Sequence, residues 1–242
     1  MGRDSEKPRA EDRPTGGRTP ADGGQNTHQL PPAAILEGLA FVSKVFWGPE
    51  LGYCRAIHQQ GGRAISRDLA LLSSAEAFSG TVAKIGAVVR SYQDGEALFQ
   101  NLESAYVSLF ISNRQGIAAP LYHSCYAGPE GPGRLAMLMG EPALEMKKRL
   151  ASSGLALTEA LNQPPDHLCI EIEYLYFMLR EAWNGKGKEL SAEARRFARD
   201  WMLPWVRQFQ NRVRAAEEAG FYTLVSVLLI DLLTIIGGKC SR

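Results

Sequence analysis

The side chains of this sequence that could carry chemistry are few, and most of them lie in the second half of the chain. There are four histidines (His28, His58, His123 and His167) and four cysteines (Cys54, Cys125, Cys169 and Cys240). His123 and Cys125 are two apart and could share a metal with His167 or Cys169. Zinc ligands usually come in tighter pairs, so no metal site is expected. The cysteines are too scattered to pair by spacing and are expected as small core or surface residues. Asp166 and His167 are adjacent. With His123 they could act as a general acid–base group if the intervening chain folds back onto them. An enzyme with a helical active site around Asp166 and His167 is therefore the alternative function. Glu171 and Glu173 would point about 200° apart on a helix, so they are no paired-carboxylate site and are expected on a solvated face. Arg195 and Arg196 are expected on another. The chain lacks G-x-x-x-x-G-K-[ST], G-x-G-x-x-G, H-E-x-x-H, G-x-S-x-G and C-x-x-C. The commonest nucleotide-binding, zinc-protease and hydrolase signatures are thereby absent.

The elements that must position these residues are helices. Residues 162–183 read NQPPDHLCIEIEYLYFMLREAW. Pro164 and Pro165 forbid helix before them, which makes Asp166 the expected N-cap and His167 the expected first helical residue. The helix dipole there favours a neutral imidazole. Apolar residues recur at spacings of three and four in Leu36, Leu39, Ala40, Ser43 and Phe46. They do so again in Leu98, Leu102, Ala105 and Leu109, and in Leu168, Ile172, Leu175, Leu179 and Trp183. The stretch 82–89 also fits a helix. No hairpin turn separates alternating strands, and Asp94-Gly95 falls between two helical stripes. Glycine and proline breakers cut the chain into roughly nine helices. The expected fold is all-α, one compact domain over residues 33–238, with a long central hinge loop at about 113–133. Domains of this kind can swap halves across such a loop, so either a monomer or a domain-swapped dimer is compatible.

The chain has 242 residues with 27 Lys plus Arg against 26 Asp plus Glu, a net charge of +1. That balance argues against a protein whose main partner is nucleic acid. Residues 1–32 hold five basic residues, five acidic residues and five of the 13 prolines. Such a stretch cannot bury enough apolar surface to offset its ordering entropy and is expected as a disordered tail. It contains no apolar run of signal-peptide length, and the start lacks the serine or threonine of a myristoylation signal, so a cytoplasmic chain is expected. Residues 220–238 (GFYTLVSVLLIDLLTIIGG) are strongly apolar, but the run is short and contains Asp231. A C-terminal helix buried in the core is expected there, without membrane insertion.

The segment Pro164-Pro165-Asp166-His167-Leu168, followed by Glu171-Ile172-Glu173-Tyr174-Leu175, resembles the signature of the TorD/DmsD/NarJ family. Four further segments agree in order. Tyr106-Val107-Ser108-Leu109-Phe110 resembles the family's Tyr-x-x-Leu-Phe. Pro120-Leu121-Tyr122-His123-Ser124-Cys125-Tyr126 resembles its Pro-aromatic-x-Ser-x-aromatic loop. Val45-Phe46-Trp47-Gly48-Pro49-Glu50 resembles the end of its N-terminal helix, and Trp201-x-x-Pro204-Trp205-x-x-x-Phe209 also fits. The match covers about residues 33–237. The resemblance implies an all-helical cytoplasmic chaperone with no cofactor and no catalysis of its own. Its implied partner is the apo catalytic subunit of a molybdopterin-dependent oxidoreductase, or that subunit's twin-arginine leader. Such a chaperone assists cofactor insertion and delays export or assembly. The implied client-binding residues are Trp47, Ile117, Tyr122, Asp166 and His167. Asp166 would pair with a leader guanidinium, Trp47 and Tyr122 would supply stacking, and Ile117 would receive the leader's apolar stretch. This sequence departs from relatives at Gln163, where a glutamate often stands, and at Tyr122, where some carry tryptophan.

Overall fold

The computed structural model describes residues 30–112, 116–128, 139–157, 162–217 and 220–238. The fold is all-α, and no strand occurs among the described residues. The helices are α1 (Pro32–Trp47), α2 (Leu51–Gln59), α3 (Arg63–Asp68), α4 (Ala70–Ser73), α5 (Glu76–Ser91), α6 (Gly95–Tyr106), α7 (Glu141–Ser152), α8 (Leu168–Glu181), α9 (Gly187–Arg196), α10 (Leu203–Ala216) and α11 (Phe221–Gly237). Nine of these have nine residues or more. π-Helical turns prolong α6 over Val107–Ile111 and α8 over Ala182–Lys186, and another joins α9 to α10 over Phe197–Met202. A short 3₁₀ helix spans His123–Tyr126.

Helix α11 is the centre of the molecule. It packs against α1, α5, α9 and α10, and its buried residues from Phe221 to Ile236 lie all round its circumference. That is the form expected of a helix with hardly a polar face. At 17 residues it falls short of the roughly 20 apolar residues typical of a spanning helix. No helix of the described residues is long and apolar enough to cross a membrane. Asp231 is half-buried, and burial raises its carboxyl pKa. The expected helix over 82–89 is α5. Asp94 caps α6, its carboxylate accepting from the Glu96 and Ala97 N–H groups at 3.0 and 2.8 Å.

Two helix pairs set up the site. Helix α1 lies between α8 and α11, with Leu39, Val42 and Phe46 buried. It ends at Trp47 because Gly48 takes φ 119° and Pro49 cannot continue the helix. Helix α8 buries Leu168, Ile172, Leu175 and Leu179, as its spacing predicts, whereas Trp183 at the end of that stripe is exposed. The tail expected over 1–32 lies outside the described residues up to position 29. Pro31 is the N-cap of α1 and Pro32 its first residue, so the helix already takes in the last residue of that expected tail. Of the expected hinge loop, residues 116–128 are described; 113–115 and 129–133 lie outside the described residues, as does Cys240.

Candidate functional site

The site is built where the segment leading into the 3₁₀ helix meets the start of α8. The two runs lie antiparallel. Leu168 N–H donates to the Leu121 carbonyl at 2.8 Å and His123 N–H to the Asp166 carbonyl at 3.0 Å. Tyr122 and His167 face each other in the only β-bridge among the described residues. Asp166 is wholly buried, and its Oδ2 accepts the Ser124 N–H at 2.8 Å. Its Oδ1 is buried with no partner among the described residues.

The cap of α8 differs from the expected one. His167 is the N-cap, with extended backbone (φ −66°, ψ 137°), and its Nδ1 accepts the Cys169 N–H at 3.2 Å. Asp166 lies one residue too early to reach the free N–H groups of the helix and fastens the Ser124 turn instead. An Nδ1 that accepts makes the ring a neutral imidazole with its proton on Nε2. Burial lowers the His167 pKa to about 4, consistent with that form. The ring is held between two aromatics. Trp47 stacks on it at 4.8 Å and 11°, and Tyr122 meets it edge-on at 5.2 Å and 74°. The Tyr122 hydroxyl donates to Gln163 Oε1 at 2.8 Å. Burial raises the Tyr122 pKa, and the neighbouring Asp166 charge adds to the effect.

Four of the five predicted client-binding residues, Trp47, Tyr122, Asp166 and His167, therefore form one connected group. Ile117 is half-buried and is not among the side chains packed on the core. Asp166, His167 and His123 do not form a relay: Asp166 holds the Ser124 N–H, His167 the Cys169 N–H, and His123 turns to Glu171. Cys54, Cys125 and Cys169 are buried thiols. Among the described residues no group of three or more His, Cys, Asp or Glu is placed to hold a metal.

Of the two glutamates expected on a solvated face, Glu171 departs from it and Glu173 does not. Glu171 is fully buried. Its Oε1 accepts from His123 Nδ1 at 3.0 Å and Trp201 Nε1 at 2.9 Å, and its Oε2 from Trp205 Nε1 at 3.0 Å. Burial raises its pKa, partly offset by His123 and the two indoles. The His123 ring stacks on Trp205 at 5.1 Å. One carboxylate thus ties α8 to the 3₁₀ segment and to the start of α10, immediately behind Tyr122. The signal was in the spacing, because Glu171 stands three after Leu168 and four before Leu175, on their stripe. Glu173 is exposed, yet its Oε1 accepts from Trp47 Nε1 at 2.7 Å and Ser43 Oγ at 3.1 Å. It lines a groove of about 450 Å³ between α1 and α8, together with Leu39, Trp47, Glu50, Ile172 and Tyr176. Arg195 and Arg196 are exposed, as expected.

The model of the family described as nitrate reductase delta subunit matches residues 73–211 of this chain. The chain belongs to that family. The sequence resemblance to TorD/DmsD/NarJ proteins holds. The family's relatives include the chaperone protein TorD of Vibrio parahaemolyticus, 28% identical over 166 residues that cover 67% of this chain and 74% of that protein. The chaperone protein TorD of Photobacterium profundum is 28% identical over 137 residues, covering 53% of this chain and 59% of that protein. A chaperone protein TorD of Vibrio vulnificus is 29% identical over 133 residues, with the same two shares. The chain thus spans about three-fifths of the length of the latter two. No solved structure matches the chain.

Proposed function

We propose that this protein is a cytoplasmic maturation chaperone of a molybdopterin-dependent oxidoreductase. It binds the apo catalytic subunit, through its twin-arginine leader where the client carries one, and delays export or assembly until cofactor is inserted. It turns over no substrate. The observation that carries this reading is the continuity of the Trp47–His167–Tyr122 ring stack with the groove between α1 and α8. An aromatic-walled groove with carboxylates at its edge suits an apolar segment bearing positive charge. Membership of a family whose relatives are named chaperones supports the same reading.

Within the site the residues divide their work. Trp47 and Tyr122 offer half-buried ring surface to the client. Asp166 and His167, both buried, hold those rings in place. Ile117, half-buried, takes apolar client surface. The domain proposed for this work is residues 33–238.

The experiment is co-purification from the native cell with the wild-type chain, Tyr122→Ala and Asp166→Asn, with melting temperatures measured in parallel. Tyr122→Ala removes client-facing surface and keeps the backbone bonds of the Tyr122 segment. The expected result is capture of a large molybdoenzyme subunit by wild type and its loss from Tyr122→Ala, with the variant still folded at the assay temperature. Absence of such a subunit from the wild-type sample overturns the chaperone reading. Equal capture by wild type and Tyr122→Ala removes the ring stack from the binding site.

A further inference from the structure

We infer that Glu173 reads arginine: the groove between α1 and α8 takes an apolar segment of the client by accepting one of its guanidinium groups on Glu173 Oε2. This rests on the reading that the protein binds its client's leader, and it places the decisive charge outside the Asp166–His167 pair. Asp166 is wholly buried and already holds the Ser124 N–H, so it offers no accessible carboxylate. Glu173 is exposed at the groove.

Three observations make Glu173 a built acceptor. Its Oε1 is held by the Trp47 indole at 2.7 Å and the Ser43 hydroxyl at 3.1 Å, one from each of two successive turns of α1. The carboxylate is therefore oriented before any ligand arrives, which reduces the entropy lost on binding. Its Oε2 accepts no hydrogen bond among the described residues, so two lone pairs stay available. The surroundings also suit an arginine. Leu39, Ile172 and Tyr176 supply apolar wall along the same groove. These walls displace water around the ion pair and raise it above the small value of an open surface pair.

Charge points the same way. The groove is lined by two carboxylates, Glu50 and Glu173, and by one cation, Lys44. The Lys44 ammonium lies over the Tyr53 ring, 4.1 Å from its centroid. The balance at the groove is negative. A guanidinium is favoured over an ammonium because it is weakly hydrated, planar, and able to lie against Tyr176 or Trp47 while donating to Oε2. The lining on α1 runs from Leu39 to Trp47. That is about 12 Å of helix, or room for roughly four extended residues. The occupant is thus a short stretch of partner chain with apolar residues beside an arginine.

The test uses the full-length protein and fluorescein-labelled 20-residue peptides. The first peptide carries two adjacent arginines before an apolar run; in the second both are lysine, and in the third both are alanine. Binding is read by anisotropy for wild type and Glu173→Gln, and client capture is measured on the same preparations. The expected result is a clear wild-type preference for the arginine peptide. Glu173→Gln weakens that peptide about tenfold, brings it level with the lysine peptide and leaves the alanine peptide unchanged. A Glu173→Gln protein that keeps the arginine preference overturns the inference. So does a wild type that ignores the arginines, or a groove closed by self-association as concentration rises. If client capture by wild type persists in those cases, only the role of Glu173 has failed. If capture is lost as well, the chaperone reading has failed with it.

Discussion

His167 shows how one side chain links protonation to stability. Its ring accepts the Cys169 N–H and lies buried between Trp47 and Tyr122, so the charged form is excluded and its pKa falls from the ordinary 6.5 to about 4. Above pH 6.5 neither folded nor unfolded chain protonates this ring, and nothing is lost. As pH falls from 6.5 towards 4 the unfolded chain takes up the proton first, and stability drops by roughly 3 kcal/mol in all. Asparagine can cap α8 without titrating. Urea unfolding across that range should show the loss in wild type and a flatter profile in His167→Asn; equal slopes would mean the loss arises elsewhere. Glu171 acts in the opposite direction, because burial raises its pKa and its ionisation costs stability as pH rises through the carboxylate range. What that charge provides is acceptance of three donors. Glu171→Gln turns an N–H group toward one of them and leaves a buried donor unmet, at about 2 kcal/mol. The expected drop in melting temperature at pH 7 is about 5 °C. An unchanged value would show that the three donors find water instead.

At the scale of elements, periodicity made the helices legible because most of them bury one stripe and solvate the other side. The stripe Leu98, Leu102, Leu109 is buried as spaced, and Asp94-Gly95 starts α6 rather than turning a hairpin. On α8 the apolar stripe is buried as spaced, and within the helix only the place of Glu171 was missed. Helix α1 covers one side of it, and α9 with the π-helical turn after it covers another. A helix covered on two sides can bury a charged residue, so Glu171 is buried, while the exposed Glu173 is still engaged by α1. The cap of α8 was illegible for a related reason: Asp166 was drawn away by the Ser124 N–H, a bond across 42 positions of sequence. Close approach of elements leaves its own mark at Gly95. A Cβ there would lie 2.5 Å from Arg55 Cα, where α2 crosses α6. The obstacle is backbone and cannot swing aside, so Gly95→Ala should cost roughly 1–3 kcal/mol despite alanine's better helix propensity. Chemical denaturation compares the two; a stabilised variant would mean that the crossing opens without cost.

At the scale of the whole molecule, the core belongs to both halves of the chain at once. Phe46 from α1 and Phe110 beyond α6 meet Phe209 of α10 and Tyr222 of α11, with ring centroids 5.2–6.2 Å apart. Helix α11 comes last in sequence yet packs on α1 and α5 from the first half and on α9 and α10 from the second. Neither half can keep its apolar surface covered without it, so the described core should unfold in one step. Among the described residues the first buried core residue is Ala34, with Leu30 packed against the core ahead of it. The composition of residues 1–29 predicts that a chain beginning at Leu30 melts within about 2 °C of the full protein. Its urea dependence should be equally steep, because the slope follows the surface exposed on unfolding. Calorimetry and urea titration of the two chains check both points. Two separable transitions would mean that the halves are independent domains joined at the central segment. A large fall in melting temperature with the slope unchanged would instead place residues 1–29 against the folded surface.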